Sequence, residues 1–243
     1  MLVSSVRDAA IVDVIADAGV RFVTTSAGDP ARYIEALKAR GLIVYHVVPS
    51  VAAAVRAVAV GVDGLVVEGG EGGGFKSPDD VSTLVLLNAV RRAVDVPLVA
   101  AGGIADGAGM AAAFALGAEG VQMGTRFLLS AESPTHPDYK EALRGARETD
   151  TVMLNRMAKP AVRALKTPVT DAIMAGGGRM PPEAFASIQS LYFKGDMGAS
   201  VASAGEVVGL IDEVLPVAEI IQRTMAEFFA RVRELAARAE LLS

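Results

Sequence analysis

Residues 61–127 read GVDGLVVEGGEGGGFKSPDDVSTLVLLNAVRRAVDVPLVAAGGIADGAGMAAAFALGAEGVQMGTRF. Three short apolar runs, Gly64–Val67, Pro97–Ala101 and Gly120–Met123, alternate here with helix-like stretches at Val81–Val94 and Gly107–Leu116, the second capped by Asp106. Strands separated by helical crossovers pair in parallel, because antiparallel neighbours need only short turns. Near-continuous apolar strands, buried on both faces, agree with that arrangement. The rhythm extends upstream. Arg7–Ala18 reads as a helix stopped by Gly19, Arg21–Thr25 as a strand, and Pro30–Arg40 as a helix between the N-cap Asp29 and Gly41. Leu42–Val48 is the next strand, and Ser50 caps a helix that runs to Val60. Five strands are therefore predicted, starting at 21, 42, 64, 97 and 120. No repeated sequence underlies them, so the pattern is a βα alternation and not a solenoid.

After Ser130 the alternation stops. Residues 131–200 mix prolines, glycines and polar residues, with helical pieces predicted at Tyr139–Ala146 and Glu183–Tyr192. Glu206–Ala239 reads as one or two amphipathic helices interrupted near Pro216. The expected division is a βα portion, residues 1–135, and a helical C-terminal segment or cap, residues 136–243.

Composition removes several function classes. The 243 residues are 52% hydrophobic and 21% charged, with a net charge of −5. Zero cysteines exclude disulfides, thiolate metal sites and cysteine nucleophiles, and fit a reducing cytoplasm. Two histidines, His46 and His136, are too few for a multi-histidine metal centre. Uncharged apolar runs such as 96–105 fall well short of the roughly 18 residues of a membrane span. The opening MLVSSVRDAA lacks the order of a signal peptide. Negative charge and scattered lysines argue against a nucleic-acid partner.

In parallel α/β folds ligands gather at the carboxyl ends of strands. Three successive strand ends here carry glycine motifs: Glu68-Gly-Gly-Glu-Gly-Gly-Gly-Phe75, Ala101-Gly102-Gly103-Ile104 and Gly124-Thr125-Arg126-Phe127. Glycine permits close approach by a ligand, and the last two motifs could hold a phosphate with main-chain amides and the Thr125 hydroxyl. Singly, each is also an ordinary turn or a flexible connection. Their joint occurrence outlines a cradle for a phosphate and a ring. A dinucleotide fold fits less well, because no G-x-G-x-x-G joins a strand directly to a helix.

The segments GVDGLVVEGGEGGGF and PLVAAGGIADGAGMAAAFALGAEGVQMGTRFLLSAESP resemble the nitronate monooxygenase family of FMN-dependent oxidoreductases, formerly called 2-nitropropane dioxygenases. That family is akin to the flavin-type enoyl-acyl-carrier-protein reductases. The likeness continues in VMLNRMAKPAVRALKTP and GEVVGLIDEVLPVAEII. It implies a (β/α)8 TIM barrel with FMN at the carboxyl-end mouth. Carried over position by position, Glu68 stands where the family has a glutamine beside the flavin, and Gly73 matches a loop glycine contacting the cofactor. Gly102 and Gly103 match a phosphate loop, and Gln122, Met123, Gly124 and Thr125 the last phosphate-binding strand end. The solvated-acid alternative for Glu68 stays open.

Two departures stand out. The family's E-A-G-G-H loop ends in a histidine base, and here Glu71-Gly-Gly-Gly-Phe75 puts a phenylalanine in its place. Phenylalanine cannot accept a proton. Proton abstraction from a neutral nitroalkane is then not expected, whereas a nitronate is already deprotonated. Phe75 could instead stack on a conjugated acyl substrate or pack the loop. His46 and Lys76 are candidate substrate contacts, with a core histidine and a surface lysine as the plain alternatives; no catalytic base is named. The second departure is that the alignment begins inside the family's third helix, so the expected barrel lacks the first three strands. A homo-oligomer or partner chain would then cover an apolar open flank.

These readings lead to an FMN-dependent oxidoreductase oxidising alkyl nitronates with O2, with NAD(P)H as a candidate electron donor. The alternatives are a flavin-dependent enoyl- or acyl-thioester reductase or dehydrogenase, and a non-catalytic flavin-binding subunit.

Overall fold

The computed structural model describes residues 10–241. In chain order the elements are helix α1 (Ile11–Asp17), strand β1 (Phe22–Thr25), a 3-10 turn (Pro30–Arg32), α2 (Ile34–Ala39), β2 (Ile43–Val48), α3 (Val51–Ala59), β3 (Gly64–Glu68), β4 (Gly74–Lys76), α4 (Thr83–Ala93), β5 (Leu98–Ala101), α5 (Gly107–Ala115) and β6 (Gly120–Gln122). There follow α6 (Thr125–Leu128), α7 (Pro137–Arg144), β7 (Thr151–Leu154), β8 (Ala161–Leu165), α8 (Pro168–Ala175), α9 (Ile188–Lys194), a second 3-10 turn (Glu206–Leu210) and α10 (Val217–Glu240). Of the expected first helix, residues 7–9 lie outside the described residues.

Two compact units are formed. The first comprises the chain up to Gly69, Val81–Ala101 and Leu116–Gln122. It holds one parallel sheet in the order β1-β2-β3-β5-β6, the five strands expected from sequence. The predicted caps form: Ser50 Oγ accepts the N–H of Ala53 at 3.2 Å, and Asp29 Oδ1 that of Ala31 at 3.0 Å. Each satisfies a donor that a helix start leaves free.

The pleat sends alternate residues to opposite faces, and parallel register keeps paired residues on one side. Val44, His46, Val48, Leu65, Val67, Leu98 and Ala100 share one face, all buried, against which α2, α3 and α4 pack. Phe22, Ile43, Tyr45 and Val47 share the other, where Phe22 and Ile43 are each 48% exposed. The unit is thus a half-barrel sheet, helix-covered on one side and apolar but open on the other.

The second unit comprises Gly70–Asp80, Gly102–Ala115 and Met123 onward. Its sheet is antiparallel, in the order β4-β8-β7. None of these three strands was predicted. The helical expectations for the C-terminal portion are met by α7, α9 and α10, with Pro216 at the N-cap of α10. Only the later part of the expected 183–192 helix forms. In α10, Thr224 and Phe228 lie directly on the start of α5: a Cβ at Gly107 would come within 2.4 Å of backbone atoms of both. Tyr139, Leu143, Leu191 and Val208 pack in one buried cluster, and Leu154, Val162, Ala164 and Val201 in another.

Candidate functional site

Three glycine-bearing segments meet in the second unit around Gly205. The carbonyl oxygen of Glu71 accepts the N–H of Glu206 at 2.9 Å, and a Cβ at Gly205 would lie 2.7 Å from that oxygen. Gly205 donates its own N–H to Thr125 Oγ1 at 3.0 Å. A Cβ on Gly103 would touch the Glu71 side chain at 3.6 Å. Thus the 70–76 loop, the Gly102-Gly103 turn and the Gly124-Thr125 turn are joined through Glu71 and Gly205, a residue the sequence reading did not single out. The signal was present in the phrase GEVVGLIDEV, which begins at Gly205.

Gly73 has a structural cause of its own. A Cβ there would stand 2.6–2.9 Å from backbone atoms of Ala204 and Gly205, so only glycine lets the loop lie on that segment. Gly102 and Gly103 adopt φ of 85° and 72°, the left-handed region that glycine enters freely. Gly124 is different: its φ is −101°, and a Cβ would meet nothing within 4 Å. Neither conformation nor packing within the protein requires a glycine at 124.

The N–H groups of Gly103, Ile104, Gly124 and Thr125 donate to no acceptor among the described residues. Gly103 and Gly124 are exposed, whereas Thr125 is buried. Amides with no acceptor in the protein are ready donors for an anion. The start of α5 is closed to one, because Glu227 Oε2 accepts the N–H of Gly107 at 3.0 Å and Asp106 Oδ1 that of Gly109 at 2.8 Å. Arg126 spends Nη2 on the carbonyls of Leu129 at 3.1 Å and Glu213 at 2.5 Å, while its buried Nε has no partner among the described residues. Burial lowers its pKa, against the pull of Asp212 and Glu213. Main-chain amides without an acceptor in the protein suit a phosphate ester. The glycine turns and their available donors fit the phosphate of a flavin mononucleotide.

Other candidate residues are distributed as follows. Glu68 ends β3 and Gln122 ends β6, and the registers Glu68↔Ala101 and Ala101↔Gln122 place both on the open face of the first unit's sheet. Met123 follows directly in the second unit. His46 sits on the opposite, helix-covered face, where its Nδ1 lies 2.8 Å from Thr25 Oγ1 and its ring bonds to the backbone of Gly28. Burial pushes its pKa down, opposed by Asp29 and the Gly28 bond. It fills the core of the helix-facing layer. His136 accepts the N–H of Asp138 at 3.2 Å, capping α7.

Phe75, on the edge strand β4, is 46% exposed and stands edge-on to Phe185 with ring centroids 5.6 Å apart. Lys76 points the other way and is buried, so it is not a surface lysine. Beneath the loop, buried Arg163 binds Gly70, Asp80 and Glu206. Sequence reasoning passed over this arginine because the strand that holds it was not foreseen.

A parallel half-barrel sheet with helices on one side is the architecture of the (β/α) barrels. The profile of the nitronate monooxygenase family matches residues 1–227, and the chain belongs to that family, whose members are FMN-dependent oxidoreductases. A (3aS,4S,5R,7aS)-5-hydroxy-7a-methyl-1-oxo-octahydro-1H-indene-4-carboxyl-CoA dehydrogenase of Rhodococcus jostii is 30% identical over 93% of this chain and 76% of its own length. A nitronate monooxygenase of Pseudomonas aeruginosa is 34% identical over 82% of this chain. The match spans 60% of that enzyme's length. Among solved structures, FabK from Thermotoga maritima superposes with a TM-score of 0.91 at 40% identity, covering 98% of this chain and 77% of that one. No helix among the described residues is long and apolar enough to cross a membrane.

Proposed function

We propose that this chain binds FMN and acts as an oxidoreductase on alkyl nitronates with molecular oxygen. The observation that carries the cofactor is the set of undonated amides at Gly103, Ile104, Gly124 and Thr125, beside a glycine at 124 that the protein's own packing does not require. Gly102 and Gly103 and the turn from Met123 to Thr125 would hold the phosphate, and Gly73 would border the ring. FMN supplies the redox centre, and the protein supplies position and electrostatics. Phe75 offers no base, which favours a substrate that arrives already deprotonated. Family membership and the Pseudomonas enzyme support this choice of substrate.

The second reading is reduction or dehydrogenation of an acyl thioester. The half-exposed Phe75–Phe185 pair supports it, as an apolar platform for an acyl group. Likeness to FabK and to a carboxyl-CoA dehydrogenase points the same way. The purified chain is saturated with FMN, gel-filtered and read at the flavin absorbance. It is then mixed anaerobically with a nitronate or with NAD(P)H, followed by O2 or an enoyl thioester respectively. Bleaching by nitronate supports the first reading. Bleaching only by NAD(P)H with reoxidation by the thioester supports the second. Retention of flavin without reduction by either donor leaves a flavin-binding subunit.

A further inference from the structure

We propose that Arg163 is a positioning residue of this site, acting by clamping the neck of the 70–80 loop that carries Gly73 and Phe75. The guanidinium is buried, with a side chain only 7% exposed, and each of its nitrogens is used. Nε donates to the carbonyl of Gly70 at 2.6 Å, at the start of the loop. Nη2 pairs with Asp80 Oδ1 at 3.0 Å, at its end. Nη1 pairs with Glu206 Oε1 at 2.7 Å and reaches Thr151 Oγ1 at 3.4 Å. One planar cation therefore ties both ends of an eleven-residue loop, Gly70–Asp80, to the turn whose preceding residue, Gly205, binds Thr125.

The geometry suits arginine alone. Four acceptors in different directions match the fixed fork of a guanidinium, whereas an ammonium is a single point with a shorter reach. The neck is tight: a Cβ at Gly70 would lie 2.2 Å from Asp80 Oδ1. Within the loop, main-chain order comes from β4 pairing to β8, the strand that carries Arg163, in the register Gly74↔Arg163 and Phe75↔Val162. Strand pairing thus fixes Phe75 from one side while the guanidinium fixes the two ends. A loop of glycines has the largest conformational entropy to lose. Clamping it before any ligand arrives removes that penalty from binding and from the reactive geometry.

The proposal rests on the flavin reading only for its kinetic arm. Hydrogen–deuterium exchange on the full chain without added flavin tests the clamp directly. Arg163→Met is expected to speed exchange in the 70–76 amides at least tenfold while leaving β2 and β3 unchanged, and Arg163→Lys to recover part of the protection. In the flavin-loaded protein, kcat for whichever donor bleaches the wild type is expected to fall at least tenfold, with KM within threefold. Asp80→Asn and Glu206→Gln each remove one contact and serve if Arg163→Met does not fold; each is expected to give a smaller change of the same kind. Unchanged exchange in these variants, or a released loop with wild-type kcat, overturns the proposal. A wild-type chain that retains no flavin overturns the function reading and leaves the exchange arm to judge the clamp.

Discussion

Replacing Gly124 by alanine separates a glycine kept for a ligand from one kept for the fold. At φ −101° and ψ −68° an alanine is allowed, and its Cβ meets no atom within 4 Å. The folded protein should therefore be indifferent, with stability within about 0.5 kcal/mol of wild type, or about 0.4–1 kcal/mol higher because the unfolded chain is stiffer. A phosphate seated on the amides of Gly124 and Thr125 would meet the new methyl group. Displacing it is expected to weaken FMN at least tenfold, equivalent to about 1.4 kcal/mol. Gly73→Ala is the reciprocal control. Its Cβ would press on the backbone of Ala204 and Gly205 at 2.6–2.9 Å, atoms that cannot rotate away. Overpacking of this kind costs about 1–3 kcal/mol. Retreat of the segment would strain the Glu206–Glu71 and Gly205–Thr125 bonds, adding about 1 kcal/mol for each one lost. The assays are urea denaturation of the apoprotein and a fluorescence titration with FMN. An unchanged FMN affinity in Gly124→Ala, at unchanged stability, would refute the assignment of that turn to the phosphate.

Three further outcomes are expected. Phe75→His restores a proton acceptor on the exposed side of β4 and should raise nitroalkane turnover while FMN is retained; no gain would mean that position 75 does not face the reacting carbon. His46 is held below its usual pKa of 6.5 by burial, so in acid the unfolded chain binds a proton that the folded chain refuses. Its contribution then erodes as pH falls below about 6.5, by at most about 1.4 kcal/mol per pH unit, until the folded state protonates. Urea midpoints between pH 8 and pH 5 should flatten in His46→Gln. Glu227→Ala frees the first amide of α5 and removes a favourable carboxylate there, costing about 0.5–2 kcal/mol by denaturation. FMN affinity should not change.

The parallel sheet was legible because its signals are local. Apolar runs, a cap such as Asp29 and a stop such as Gly41 lie close together along the chain, and all five strands begin within a residue of the expected positions. The β4-β8-β7 sheet was illegible for the opposite reason. Phe75 pairs with Val162, a partner far along the chain, and β8 is buried from end to end although it carries Arg163. No alternation of polar and apolar residues marks such a strand. The site shows the same contrast. Glycine turns at strand ends could be read directly, whereas Gly205 and Arg163 matter only once distant segments meet. Lys76 and His46 illustrate the limit: residue type alone could not show that one is buried and the other turned to the helix layer.

The route of the backbone has a consequence for how such a protein can vary. The chain passes between the two compact units at Gly69, Asp80, Ala101, Ala115 and Gln122. A gene broken after Gly69 would part β3 from β5; one broken after residue 135 would part β4 from β8 and α5 from α10. No single crossover can exchange one unit and leave the other whole. A single crossover inside the chain therefore divides at least one unit, whereas a point substitution in a loop such as 70–80 leaves both whole; there a single codon separates phenylalanine from the expected histidine.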